Sequence, residues 1–285
     1  MKNILVFGST GQLSQEIREI AKSTTGYTFE FIGKDLLDLG SKHDLDHFFK
    51  NKLPKNTFGI INAAAYTAVD LAESNKEKAY SINSEAPAII AEYSSRYEIK
   101  LIHISTDFVF DGLKSSPYFE TDSKNPLSVY GKSKSEGEEL VLNRDSNSII
   151  IRTSWVYSKF GNNFLNTMIR LSKERNSISV VDDQIGSPTW AGDLAGVCIE
   201  ALSSNRSGIY HFSNEGVASW YDFAYAIISK VNPKCKVLPI PSELFPTPAI
   251  RPTYSVMSKK KFRESFLKEN FHWKDRIELV LNELR

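Results

Sequence analysis

Short apolar runs alternate with longer segments whose apolar residues recur every three or four positions, from the first residues to about residue 154. Residues 3–7 read as a strand, 12–22 as an amphipathic helix and 28–32 as a second strand. The rhythm continues with a strand at 59–62, a helix at 79–97, a strand at 100–105, a helix carrying Tyr130 and Lys134, and a strand at 148–152. These strands are nearly continuous in Ile, Val and Leu, which predicts burial on both faces and therefore a parallel sheet covered by helices. Beyond about residue 154 the texture changes. Helical segments at 163–173, 191–202 and 220–231 alternate with shorter strands, and Pro239, Pro241, Pro246, Pro248 and Pro252 mark an irregular stretch before a last helix at 275–284. The expected architecture is α/β: a Rossmann-type doubly wound parallel sheet over residues 1–154, with later segments returning to it, and a smaller α/β substrate-binding region mainly over 155–285.

At 285 residues the chain can bury a substantial core. Lys and Arg total 35 against 34 for Asp and Glu, so the net charge of +1 offers no electrostatic case for nucleic acid or an anionic membrane surface. The apolar run Ile4-Leu5-Val6-Phe7 is too short for the core of a signal peptide, and no later stretch is long enough to span a bilayer. Cys198 and Cys235 have no metal-type spacing, and the five histidines form no ligand-spaced cluster, so neither a disulfide nor a metal site is expected. The expected location is the cytoplasm.

The strand-to-helix junction reads Gly8-Ser9-Thr10-Gly11-Gln12-Leu13-Ser14. Glycines there let the backbone approach a pyrophosphate, while the amides and dipole of the helix N-terminus attract it. Ser14 stands where a third Gly or Ala normally allows close helix packing. At the end of the second strand Lys34 suits a 2'-phosphate and Asp35 and Asp38 suit a 2'-hydroxyl; Lys34 tips the balance to NADPH, with NADH as the alternative. Tyr130 and Lys134 lie four positions apart, on one face of a helix. A free phenol titrates near ~10, and a neighbouring ammonium favours its ionised form, which makes the tyrosine a usable acid. For a sugar or base ring and a diphosphate, Trp155 offers an aromatic face and Arg251 a forked donor, with the Gly161-Asn162-Asn163-Phe164 turn adding polar contacts.

With these motifs in order, the chain resembles the extended short-chain dehydrogenase/reductases. The runs Asn62-Ala63-Ala64-Ala65-Tyr66-Thr67-Ala68-Val69-Asp70, Ser105-Thr106-Asp107-Phe108-Val109-Phe110-Asp111-Gly112, Asp183-Gln184-Ile185-Gly186-Ser187-Pro188-Thr189 and Pro246-Thr247-Pro248-Ala249-Ile250-Arg251-Pro252 narrow the resemblance to the dTDP-4-dehydrorhamnose reductases, from residue 3 to the end. The resemblance implies reduction of the C4 keto group of dTDP-4-dehydro-6-deoxy-L-mannose by NAD(P)H. It implies Tyr130, Lys134 and Thr106 as the catalytic set. It places Gly8, Gly11, Gln12 and Leu13 around the cofactor phosphates, Asp38 and Leu39 near the adenine, Ala63, Ala64 and Tyr66 after the third strand, and Tyr130 and Lys134 at the ribose. Thr106, Asp107, Trp155, Asn163 and Arg251 face the nucleotide-sugar, and a homodimer is compatible with the chain. A dehydratase or epimerase of the same superfamily is the rival enzyme; dehydratases carry an acid right after the Thr-Asp pair, where this chain has Phe108. A silent, reductase-like regulatory subunit is the rival outside catalysis, against which the joint presence of Thr106, Tyr130 and Lys134 argues.

Overall fold

The computed structural model describes residues 1–267 and 270–284. Strands β1 (Lys2–Phe7), β2 (Tyr27–Ile32), β3 (Thr57–Asn62), β4 (Lys100–Thr106) and β5 (Ile149–Thr153) join the strand Gly208–His211 in one parallel sheet. The spatial order is β2-β1-β3-β4-β5, with Gly208–His211 outside β5. Alternate residues of β1 enter opposite cores: Ile4 and Val6 pack under the helices Gln12–Ala21 and Ala191–Leu202, whereas Leu5 and Phe7 pack under Ala86–Arg96 and Val129–Arg144. This two-sided cover is why β1 is apolar from Ile4 to Phe7 and β5 from Ile149 to Ile151, whereas the edge strand β2 alternates, with Thr28 and Glu30 exposed.

Segments beyond residue 154 complete this first core. Leu194, Val197, Cys198 and Ala201 of the helix Ala191–Leu202, Tyr210 of the last strand and Phe262 all belong to it. A separate core forms around Tyr157, Leu165, Phe223, Ile227, Trp273 and Ile277, under the parallel pair Ser177–Val181 and Lys236–Ile240.

After β2 the chain crosses to the far side of β1 to lay down β3, so the C-terminal ends of β1 and β3 diverge into the crevice where ligands gather in such sheets. The expected helix at 79–97 starts earlier and is broken into Lys76–Tyr80, a π-helical turn Ser81–Glu85 and Ala86–Arg96. Pro87 explains the break: it has no amide hydrogen, and its ring would clash with the Asn83 carbonyl in a regular helix. The wide turn presents Asn83, whose Oδ1 accepts from Tyr66 N (2.8 Å) and whose Nδ2 donates to Tyr66 O and Ser133 Oγ (both 3.1 Å). Helix Val129–Arg144 comes so close here that a Cβ on Gly137 would overlap the Asn83 carbonyl oxygen. Gly137→Ala is therefore expected to cost about 1–3 kcal/mol through forced separation of these helices, measured as a lower urea midpoint with an unchanged slope.

Candidate active site

The turn after β1 is built by its own backbone. Gly8 N and Ser9 N both donate to Ile32 O (3.0 and 3.3 Å), and Gly11 N donates back to Gly8 O (3.0 Å). Gly8 has φ of +91°, and a Cβ there would lie 2.9 Å from the Ala64 backbone, so the turn requires glycine twice over. Gly11 opens the helix Gln12–Ala21 with no side-chain cap and no acid in the first turn, which leaves the positive end of the helix available to an anion. Ser14 is fully buried without a hydrogen-bond partner for its hydroxyl, and the helix still packs on the sheet.

One cleft of about 1120 Å³ crosses the ends of the strands. Its walls include Lys34, Asp38 and Leu39 beyond β2, Gly8 to Leu13 after β1, Ala63 and Ala64 after β3, Thr106 and Asp107 after β4, and Tyr130, Lys134, Trp155 and Arg251. Pockets for one small molecule commonly hold roughly 300–1,000 Å³, so this cleft has room for a dinucleotide and a second ligand.

Thr106 closes β4, and the helix Val129–Arg144 carries Tyr130 and Lys134 past it. The start of that helix is held by Ser128, whose Oγ accepts from Gly131 N (3.1 Å), and by Glu73, which accepts from Val129 N (2.8 Å). Burial pushes the Tyr130 phenol up to about 12; the Thr106 hydroxyl offsets the rise and the Asp107 charge adds to it. Lys134 is 1% exposed, and burial pulls its amine down to about 8 against the opposing effect of Glu138. Its Nζ donates to Ile104 O (2.6 Å) and meets His103 Nε2 (3.3 Å). This corrects the expectation of a phenol already acidified by its neighbour: the two side chains share a helix face, but the amine is tied to β4 and desolvation outweighs any help it gives.

Thr106 Oγ1 donates to Asp107 Oδ1 (3.0 Å) and accepts from Phe108 N (3.2 Å). Asp107 is buried, which lifts its carboxyl to about 6 against the opposing effect of the Ser255 and Thr106 hydroxyls. Phe108 lies edge-on to Tyr130, with ring centroids 5.5 Å apart, so an aromatic ring occupies the place of an acid.

The remaining expected residues divide. Trp155, with φ of +48°, stacks on Trp220 at 3.6 Å, and both line the cleft. Arg251 also lines it, but its guanidinium forks onto Asp70 (2.8 and 3.1 Å). Asn163 does not line it. Its Oδ1 caps the helix Phe164–Glu174 through Asn166 N (3.0 Å), and its Nδ2 donates to Gln12 Oε1 (3.2 Å) and Ser158 O (2.8 Å), so Gly161 and Asn162 are the residues of that turn on the cleft wall. Tyr66 is likewise off the wall, packed beside Val129 and Tyr130 with its backbone clamped by Asn83. Four residues at the site had been given no role from the sequence: Trp220, which stacks on Trp155, His103 and Asn62, which back Lys134, and Asn83. The signal for His103 was a polar residue inside the apolar strand β4. No group of three or more His, Cys, Asp or Glu among the described residues is placed to hold a metal, and no helix among them is long and apolar enough to cross a membrane.

Comparison with known proteins gives one consistent result. The profile of the family described as RmlD substrate binding domain matches residues 1–285. A dTDP-4-dehydrorhamnose reductase of Aggregatibacter actinomycetemcomitans is 41% identical over 93% of this chain and 94% of its own. The spore coat polysaccharide biosynthesis protein SpsK of Bacillus subtilis is 38% identical over 99% and 98%. Among solved structures, the dTDP-4-dehydrorhamnose reductase of Bacillus anthracis in complex with NADP superposes with a TM-score of 0.94 at 38% identity, covering 99% of this chain and all of that one. With a cleft of this composition and likeness along its whole length, the chain belongs to the dTDP-4-dehydrorhamnose reductase family.

Proposed function

We propose that the chain reduces the C4 keto group of dTDP-4-dehydro-6-deoxy-L-mannose to give dTDP-L-rhamnose, with NADPH as preferred reductant and NADH as alternative. The observation that carries this reading is the convergence of Thr106, Tyr130 and Lys134 at the end of β4, in one cleft with an uncapped helix start behind a glycine turn. The names of the relatives supply the substrate class, and the Bacillus anthracis structure was solved with NADP.

The turn suits a dinucleotide. The space a Cβ at Gly8 would fill is closed by Ala64, and the first-turn amides of the helix have no competing cap. Lys34 is exposed at the rim, whereas Asp38 Oδ1 accepts from Gly40 N (2.9 Å) within its own loop, which supports the 2'-phosphate. When bound, NADPH supplies the hydride to C4.

The chain's own residues handle the proton and the geometry. The burial that raises the Tyr130 phenol keeps it protonated at neutral pH, so its proton is available to an alkoxide developing at the sugar oxygen. A protonated Lys134 one helical turn on stabilises the tyrosinate left behind. Thr106 has one hydroxyl hydrogen, directed at Asp107; turned into the cleft it fixes the carbonyl for attack. The Trp155–Trp220 stack offers a face for a ring, and Arg251 exchanges part of its Asp70 contact for the diphosphate. Elimination lacks an acid at 108, which favours net reduction over dehydration.

Supplying dTDP-4-dehydro-6-deoxy-L-mannose with NADPH is expected to give stoichiometric loss of reduced-cofactor absorbance and dTDP-L-rhamnose as product; tightly retained cofactor with no net oxidation would overturn the assignment. Tyr130→Phe should lower kcat by about 10²–10⁴-fold while the NADPH Kd, measured by fluorescence titration, stays within about threefold of wild type. Arg251→Lys should raise the sugar KM about tenfold with kcat within about threefold, since an ammonium cannot reproduce the forked contact.

A further inference from the structure

Lys134 Nζ has two hydrogen-bond neighbours, the Ile104 carbonyl and His103 Nε2, and the second belongs to a buried chain of groups whose polarity can be worked out. The chain starts at Ala64. Its backbone amide can only donate, and it points at Asn62 Oδ1 (3.3 Å). That contact assigns the oxygen end of the Asn62 amide, so Nδ2 is the end that faces His103 Nδ1 (3.2 Å). Nδ2 is a donor, which requires His103 Nδ1 to accept and places the imidazole hydrogen on Nε2. Nε2 then presents a hydrogen to Lys134 Nζ. An ammonium cannot accept it; an amine can, through its lone pair, while giving one of its own hydrogens to Ile104 O.

We propose that Asn62 and His103 form a positioning relay that sets the protonation of Lys134: with the Ala64–Asn62 contact in place, His103 donates to an unprotonated Lys134, and Lys134 charges only when His103 changes tautomer and Asn62 turns over. The relay is dry, because Asn62, His103 and Lys134 are all at most 1% exposed. His103 stays neutral in both states, since burial and the neighbouring Lys134 hold it well below the usual histidine range. The other charged and titratable groups around the amine are accounted for. Glu138, on the same helix, is bound by Arg152 of β5, by Ser105 of β4 and by Lys124 (3.4 Å); Asp107 holds Thr106; Tyr130 lies one turn back. None of them supplies Nζ with a hydrogen bond among those of the described residues.

The consequence for the proposed reaction, on which this part rests, is that charging Lys134 and loosening the Ala64 amide from Asn62 are one event. Ala64 lines the cofactor end of the cleft, so an acceptor that takes its amide hydrogen releases Asn62 and promotes the cationic form of Lys134.

The relay can be tested without substrate or cofactor. In the wild-type enzyme, 15N shifts of the imidazoles should show His103 as the Nε2–H tautomer above the Lys134 transition and as the Nδ1–H tautomer below it, with no imidazolium at either end. The Nδ1–H form persisting above the transition overturns the proposal, whatever the enzyme's substrate. The second arm is Asn62→Asp, whose carboxylate accepts from Nδ1–H and turns Nε2 into an acceptor. The 13Cε resonance of Lys134 should then titrate about one pH unit higher than in wild type. An unshifted titration in a variant with the wild-type unfolding midpoint also overturns it, and should Asn62→Asp fail to fold, the tautomer measurement decides alone.

Discussion

Glu138 and Arg152 meet in the core as a forked ion pair, with Nε to Oε1 at 2.8 Å and Nη2 to Oε2 at 2.7 Å, both side chains 1% exposed. Ser105 adds a third contact by donating to Glu138 Oε1 (2.6 Å). The pair therefore joins three elements: the helix bearing Tyr130 and Lys134, the strand β4 that ends in Thr106, and β5. A fully buried pair of this kind gives little net stability compared with apolar packing, but breaking it leaves a charge stranded in the core. What it supplies is position. A helix free to slide along the sheet could satisfy apolar contacts in several registers; one that must deliver Glu138 to Arg152 and Ser105 cannot. Lys134 is one turn from Glu138, so the same constraint places the amine at the Ile104 carbonyl.

A second set of polar contacts ties the helix Gln12–Ala21 to the C-terminal region. Gln12 donates to Val156 O (3.0 Å) and accepts from Asn163, while Glu16, four residues on, accepts from Ser158 Oγ (2.5 Å) and Trp190 Nε1 (3.3 Å). Glu16 is buried, and desolvation lifts its carboxyl despite those two donors. Asn163 is better understood in this light. Its place in a Gly-Asn-Asn turn suggested a ligand contact, yet it fastens the turn at residues 158–163 to the helix that starts at Gln12. The two walls of the cleft are thus linked beside the glycine turn, and the wall with Trp155 and Trp220 is built on that joint.

Much of this was legible in the chain. The parallel sheet followed from apolar runs without alternation in the inner strands, the tight turn from glycines directly after β1, and the shared helix of Tyr130 and Lys134 from their spacing. The parts that were not legible depend on side-chain direction or on contacts between distant segments. The Arg251–Asp70 fork joins residues far apart in sequence, and an arginine suited to a diphosphate is equally suited to an aspartate. The π-helical turn at Ser81–Glu85 had a local cause in Pro87, but its result, the Asn83 clamp on Tyr66, emerges only when the two segments are packed. His103 had a clearer trace. In β4 it and Ser105 are polar residues on one face, and both meet the helix that carries Tyr130 and Lys134.

Burial acts on Tyr130 and Lys134 in opposite senses, because it disfavours the charge on each. It holds the phenol firmly protonated, pushed up to about 12, and pulls the amine down to about 8, so near neutral pH the phenol keeps its proton while the amine holds its charge only narrowly. That state holds the proton a ketone reduction needs and leaves the cation that eases its release close to being lost. The groups that touch the Lys134 nitrogen therefore decide whether the charge is present when the cleft is occupied. A tyrosine and a lysine four residues apart on a helix are therefore an incomplete device. The strand opposite, through the Ile104 carbonyl and His103, determines which protonation state the lysine brings to the phenol.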